Sequence, residues 1–129
     1  DGYPPAEWEH LWGRRVGDSL YALDNTPFFA RGVSFGDVVL VENRDGLNVF
    51  LEVVRPSGHS TIRVILFDQA HAQDIRKRLR DLACASELSH IPGLIAVDVP
   101  PTADLASVRR LLNSGEQSGQ WEYEEAAVR

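Results

Sequence analysis

The chain is short of almost everything that would announce a chemistry. One cysteine in 129 residues, Cys84, excludes an internal disulfide and any zinc site built on several thiolates, and it suits a reducing compartment. The four histidines are scattered, with no His-x-x-x-His pair, so no spacing supports a metal and none is expected. No run approaches the ~18–20 apolar residues of a membrane-spanning helix. The opening residues Asp1–Pro5 have neither the basic nor the apolar stretch of a secretory signal. Basic charge is in deficit, 13 residues against 19 acids, for a net charge of −6 and a pI of about 5.1. That balance disfavours direct binding to nucleic acid or to an anionic membrane and leaves a basic partner open. Lysine is nearly missing: twelve of the basic residues are arginine and Lys77 stands alone. A cytoplasmic location is the expectation.

What is present is ordinary globular material, 43% hydrophobic and 25% charged. At this length a chain buries about two thirds of its unfolded surface and needs no metal or disulfide to fold. The first eight residues, with Pro4-Pro5, read as a loose arm, and 9–129 as one domain. Glu9–Val16 and Ser19–Leu23 read as strands joined at Gly17-Asp18. Asp24–Pro27 is a turn cluster, and Phe28, Phe29 and Phe35 follow as an aromatic plug between glycines. Asp37–Glu42 and Asn48–Val54 form a hairpin about Arg44-Asp45-Gly46, and Pro56-Ser57-Gly58 leads into a strand over Thr61–Phe67. Five strands joined by tight turns predict an antiparallel meander or small barrel.

After Thr61 the rhythm changes. A helix capped by Asp68 is expected to run to about Ala85, with Ile75, Leu79, Leu82 and Ala83 inward and Arg76–Arg80 solvated. Glu87–His90 is either a short strand or a loop, and Leu94–Val99 is a strong strand. A second helix, capped by Thr102 with Asp104 in its first turn, carries Leu105, Val108, Leu111 and Leu112 inward. Trp121–Ala126 closes the chain with Trp121 and Tyr123 on one face and Glu122 and Glu124 on the other. If Glu87–His90 pairs, residues 61–127 have the order of a ferredoxin-like βαββαβ unit, fused to a β-lobe over 9–60.

Candidate chemistry gathers at Gly58-His59-Ser60-Thr61. His59 could act as general base for Ser60 or Ser57, with Asp98 or Asp37 orienting the ring. The serine lacks the glycine spacing of a nucleophile elbow, and the same residues would serve to satisfy backbone groups in a turn. Phe28, Phe35, His59 and Arg63 are the candidate lining of a ligand site where the two halves meet. The edge Trp121, Glu122, Tyr123 and Glu124 is the candidate docking surface for a basic protein. Asp68, His71 and Asp74 place an imidazole between two acids at a helix start, which capping explains more simply. Cys84 reads as a packing residue.

The segments Leu23–Phe29, Gly36–Val39, Gly58–Val64, Ala96–Pro101 and Gly119–Glu125 together resemble a bacterial family of short proteins known as domain of unknown function family 4265, over about residues 8–127. The resemblance implies a stand-alone bacterial cytosolic protein and brings no activity, cofactor or catalytic residue. Three functions are therefore carried forward. The first is a non-enzymatic binding module, an adaptor or an immunity-type protein for a basic partner. The second is a small-molecule or nucleotide sensor. The third is a small hydrolase using His59 with Ser60 and Asp98.

Overall fold

The computed structural model describes residues 10–129, so the expected arm and Glu9 lie outside the described residues. The chain forms an α+β structure of two antiparallel four-stranded sheets and two α-helices. The first sheet has the order β1 (Gly13–Gly17), β2 (Leu20–Leu23), β3 (Val38–Arg44), β4 (Leu47–Arg55). Its hairpins close where the sequence supplies turn residues, with Ser19, Asp45 and Gly46 at positive φ. The second sheet comprises β5 (Ser60–Leu66), β6 (Ala85–Leu88), β7 (Leu94–Val99) and β8 (Trp121–Ala127) in the order β6-β7-β5-β8. Helix α1 (Ala72–Asp81) links β5 to β6, and α2 (Leu105–Gln117) links β7 to β8.

Two helix boundaries differ from expectation for local reasons. Asp68 caps a single 3-10 turn, Gln69–His71, by accepting from the Ala70 amide, and the α-helix begins only after it. At α2 the cap is Asp104 and not Thr102: its carboxylate accepts from the Ala106 amide and the Ser107 hydroxyl. The segment whose pairing was open in the sequence is a strand, shifted to Ala85–Leu88, because Ala85 and Glu87 fall opposite Asp98 and Ala96 of β7. Arg76, expected in solvent, instead donates to the Ser86 hydroxyl and carbonyl and ties α1 to β6.

The two faces of the second sheet differ in chemistry. Ile62, Val64, Leu66, Ile95 and Val97 meet both helices in the main core, together with Ile75, Leu79, Val108 and Leu112. The opposite face carries Thr61, Arg63, Ala96 and Asp98, paired across strands as Thr61–Asp98 and Arg63–Ala96. All four are buried. Residues 24–37, the connection between β2 and β3, lie across this polar face. The Thr26 amide donates to Glu87, Ser34 and Thr61 share a hydroxyl bond of 2.8 Å, and Arg63 donates to the Ala30 carbonyl. The Gly32 amide donates to the Ala126 carbonyl. A second cluster, Leu23, Val33 and Val39 with Tyr21, Val41 and Val53 around it, packs the first sheet against the same connection.

Trp121 closes the main core. It is 1% exposed and its indole N–H donates to the Leu112 carbonyl at 2.9 Å. A Cβ on Gly115 would lie 1.9 Å from its ring, so only glycine admits the tryptophan. Gly115→Ala opposes two effects: an alanine in a helix gains about 1 kcal/mol over glycine, while overpacking costs about 1–3 kcal/mol or more. The clash is severe enough to win. Chemical denaturation is expected to show net destabilisation, and a stabilised variant would mean the ring does not sit over residue 115.

A candidate site where the two sheets meet

The junction is held by one carboxylate. Asp37 is fully buried, and its oxygens accept from the amides of Ser34 and Ser57 at 2.9 and 2.8 Å and from the Arg129 guanidinium at 2.8 Å. Buried charge is tolerated only when paired and hydrogen-bonded, and here the contacts to Ser57 and Arg129 join two other segments to the connection that carries Asp37. Ser57 is pinned again by its hydroxyl, which donates to the Phe35 carbonyl at 2.6 Å and accepts from the His59 amide. Gly36 permits the approach: it has φ +81°, and a Cβ there would come within 3.1 Å of the Ser57 side chain.

This scaffold sets His59 at the mouth of β5. Its Nδ1 lies 2.7 Å from Oδ1 of Asp98, and its ring leans on Phe35 with centroids 5.4 Å apart and planes tilted by 50°. Among the described residues Nε2 has no protein partner. The pair is an oriented imidazole, one nitrogen held and the other presented. Burial raises the Asp98 pKa, and the His59 hydrogen bond and charge only partly offset this. Cys84, close by, has its thiol pushed up to about 11 by burial and by the Asp98 charge, so it is no nucleophile at neutral pH.

The sequence-derived site residues divide sharply. His59, Asp98 and Phe35 come together. Ser60 does not join them, because adjacent residues of an extended strand point to opposite faces. Its hydroxyl accepts from the Arg129 amide instead. Ser57 is committed to Phe35, and Asp37 orients the loops rather than the imidazole. Arg63 is 2% exposed, so it is structural and not ligand-lining: it donates to Glu124 at 3.0 Å and to the Ala30 carbonyl, while its Nε has no partner. Phe28 is half-buried in the covering connection. Asp68 is a cap and Asp74 faces Arg78, so His71 gathers no constellation. Among the described residues no group of three or more His, Cys, Asp or Glu could hold a metal, and no helix is long and apolar enough to cross a membrane.

The expected acidic, aromatic edge on β8 dissolves. Trp121 is inside, for the core must close over the end of α2. Burial would raise the pKa of Glu124, but hydrogen bonds from Arg63 and Arg31 outweigh it and hold the carboxyl below its usual value. Glu125 is bound bidentately by Arg109 at 2.7 and 2.8 Å. Tyr123 donates to Asn113, which leaves Glu122 as the exposed residue of the four proposed for docking. A structural residue with no signal in the sequence is Arg129, whose side chain closes the Asp37 network from more than ninety residues away.

The raised Asp98 pKa has a sign that can be measured. A group whose folded pKa lies above its unfolded value of 3.8 contributes stability below that pH and loses it as pH rises through the folded value. Asp98→Asn removes this loss while keeping an acceptor for His59. The variant is expected to be at least as stable as wild type at pH 7, with the difference vanishing below about pH 4. Urea titrations across that range check it; a wild type more stable than the variant at neutral pH would contradict the unfavourable setting of this carboxylate.

The comparisons with known proteins fit this picture of a fold without an assigned chemistry. No curated protein matches the chain in sequence. The crystal structure of a hypothetical protein from Neisseria gonorrhoeae superposes with a TM-score of 0.82 at 22% identity, covering 92% of this chain and 82% of that one, which shows a shared fold. A family model matches residues 9–123, nearly the whole chain, and the protein therefore belongs to the family described as domain of unknown function DUF4265.

Proposed function

We propose that the protein is a non-enzymatic binding module with a small-molecule site at the junction of its two sheets, where His59 is the principal polar contact. The 2.7 Å bond from His59 to the buried Asp98 carries this reading. It fixes the ring, leaves Nε2 for a ligand, and persists although Asp98 sits in a setting that disfavours its charge. Residues kept at a cost to stability are characteristic of binding and catalytic sites. Phe35 beside the ring offers an apolar face, so the fitting ligand has a planar or apolar portion and a polar group that bonds an imidazole nitrogen.

Binding is favoured over hydrolysis because neither Ser60 nor Ser57 is presented to Nε2. The strand orders β1-β2-β3-β4 and β6-β7-β5-β8 support reading the chain as a β-meander joined to a ferredoxin-like half within one domain, with the site at the seam. Ligands commonly lodge between such units, an argument from architecture that adds to the geometry and does not replace it.

Amide and imidazole NMR tests the proposal. Titration with a panel of small carboxylic acids, nucleotides and aromatic amines is expected to shift Phe35, residues 58–60 and Asp98 together. His59→Ala should remove that response while leaving the dispersed spectrum of a folded protein. Ligand-induced shifts that survive the substitution, or that cluster away from the junction, would place the site elsewhere.

A further inference from the structure

Of the four sheet edges, three are blunted. β1 is five residues long, carries Arg14 and Arg15 and is irregular after Arg15. β6 has only four residues, and β8 exposes Glu122 and engages Glu125 with Arg109. Short length, charge and irregular pairing are the usual devices that stop an edge from recruiting another strand.

β4 is the least protected of the four, because it is long and exposes apolar residues. At nine residues it is the longest strand, and no described strand pairs with its outer side. Its exposed residues include Leu47 at 57%, Phe50 at 49%, Leu51 at 44% and Val54 at 44%. It does contain two bulges against β3, where Leu51 and Val54 are the extra residues. Both bulges leave an apolar residue exposed, Leu51 and Val54 at 44% each.

The charges on this edge say what covers it. Glu52 and Arg55 are both exposed, and neither has an ion pair among the described residues. A wholly basic or wholly acidic strand would set a like charge against one of them. A strand carrying the same two charges in reverse order satisfies both, and β4 itself, running antiparallel, is such a strand. Reversal about a two-fold axis brings Glu52 of each copy to Arg55 of the other and Val53 against Val54, with Leu51 against the exposed Pro56 beyond. We propose that β4 is a homotypic interface through which two copies of this chain join their first sheets edge to edge. The net charge of −6 per chain opposes association at long range, so the dimer is weak.

This inference does not rest on the junction site. Sedimentation equilibrium of the whole chain, from about 5 to about 300 µM at low salt, is expected to show a mass rising from 14.4 kDa towards twice that value. Glu52→Arg and Arg55→Glu, each alone, should weaken the dimer by roughly tenfold, and the double variant should recover it, because the exchanged charges again face their opposites. The recovery also excludes misfolding as the cause of the single losses. A wild type that stays monomeric at the highest concentration would overturn the proposal, as would single variants that dimerise normally or a double variant that does not recover.

Discussion

A sheet face made of threonine, arginine, alanine and aspartate cannot be buried unless something hydrogen-bonds it, and the arrangement of the whole molecule follows from how that requirement is met. Leaving such groups dry and unpaired would cost about 1–3 kcal/mol each, more for the charged ones, against a total stability of about 5–15 kcal/mol. The connection 24–37 supplies the partners: Thr26 to Glu87, Ser34 to Thr61, the Ala30 carbonyl to Arg63, Gly32 to Ala126. Because the same connection ends in β3, meeting that demand also docks the first sheet. Asp37 then locks the seam, with two backbone amides and Arg129 on one fully buried carboxylate.

The candidate site lies at the end of this polar face, where the covering connection supplies no hydrogen bond to Asp98 among the described residues. Thr61 and Arg63 are consumed by the covering connection, and Glu124 by two arginines. Asp98 instead spends its bond on His59, at the mouth of the seam, and the imidazole's Nε2 has no partner among the described residues. The two carboxylates of the junction differ in their partners. Asp37 is surrounded by donors from three segments, whereas Asp98 has burial against it and one imidazole in its favour. The first builds the scaffold; the second holds His59.

Much of this was legible in the residues and some was not. The hairpins about Arg44-Asp45-Gly46, the inward stripe of Ile75 and Leu79, and the strand Leu94–Val99 follow from turn chemistry and periodicity, which act over a few neighbours. The pairing of His59 with Asp98 was among the alternatives because both flank strand ends, yet Asp37 was an equal candidate until β5 and β7 were set in register. Trp121 was misplaced for a related reason. Alternation puts it and Tyr123 on one face of β8, but it does not say whether that face meets solvent or α2, and only Gly115, six residues away, betrays the fit. Arg63 was mistaken for a ligand residue because a lone arginine in an apolar strand looks like a binding group; its partners, Ala30 and Glu124, are far off in sequence.

Local chemistry by itself therefore determined the two helices, seven of the eight described strands and the hairpin turns, since each depends on contacts within a turn or two of chain. Tertiary structure decided which face of the second sheet is covered and by what, which carboxylate meets His59, and that Ser60 turns away from it. Those outcomes depend on strand register and on hydrogen bonds between residues as far apart as Gly32 and Arg129. No local pattern encodes them, because a side chain's role is fixed by what is packed against it.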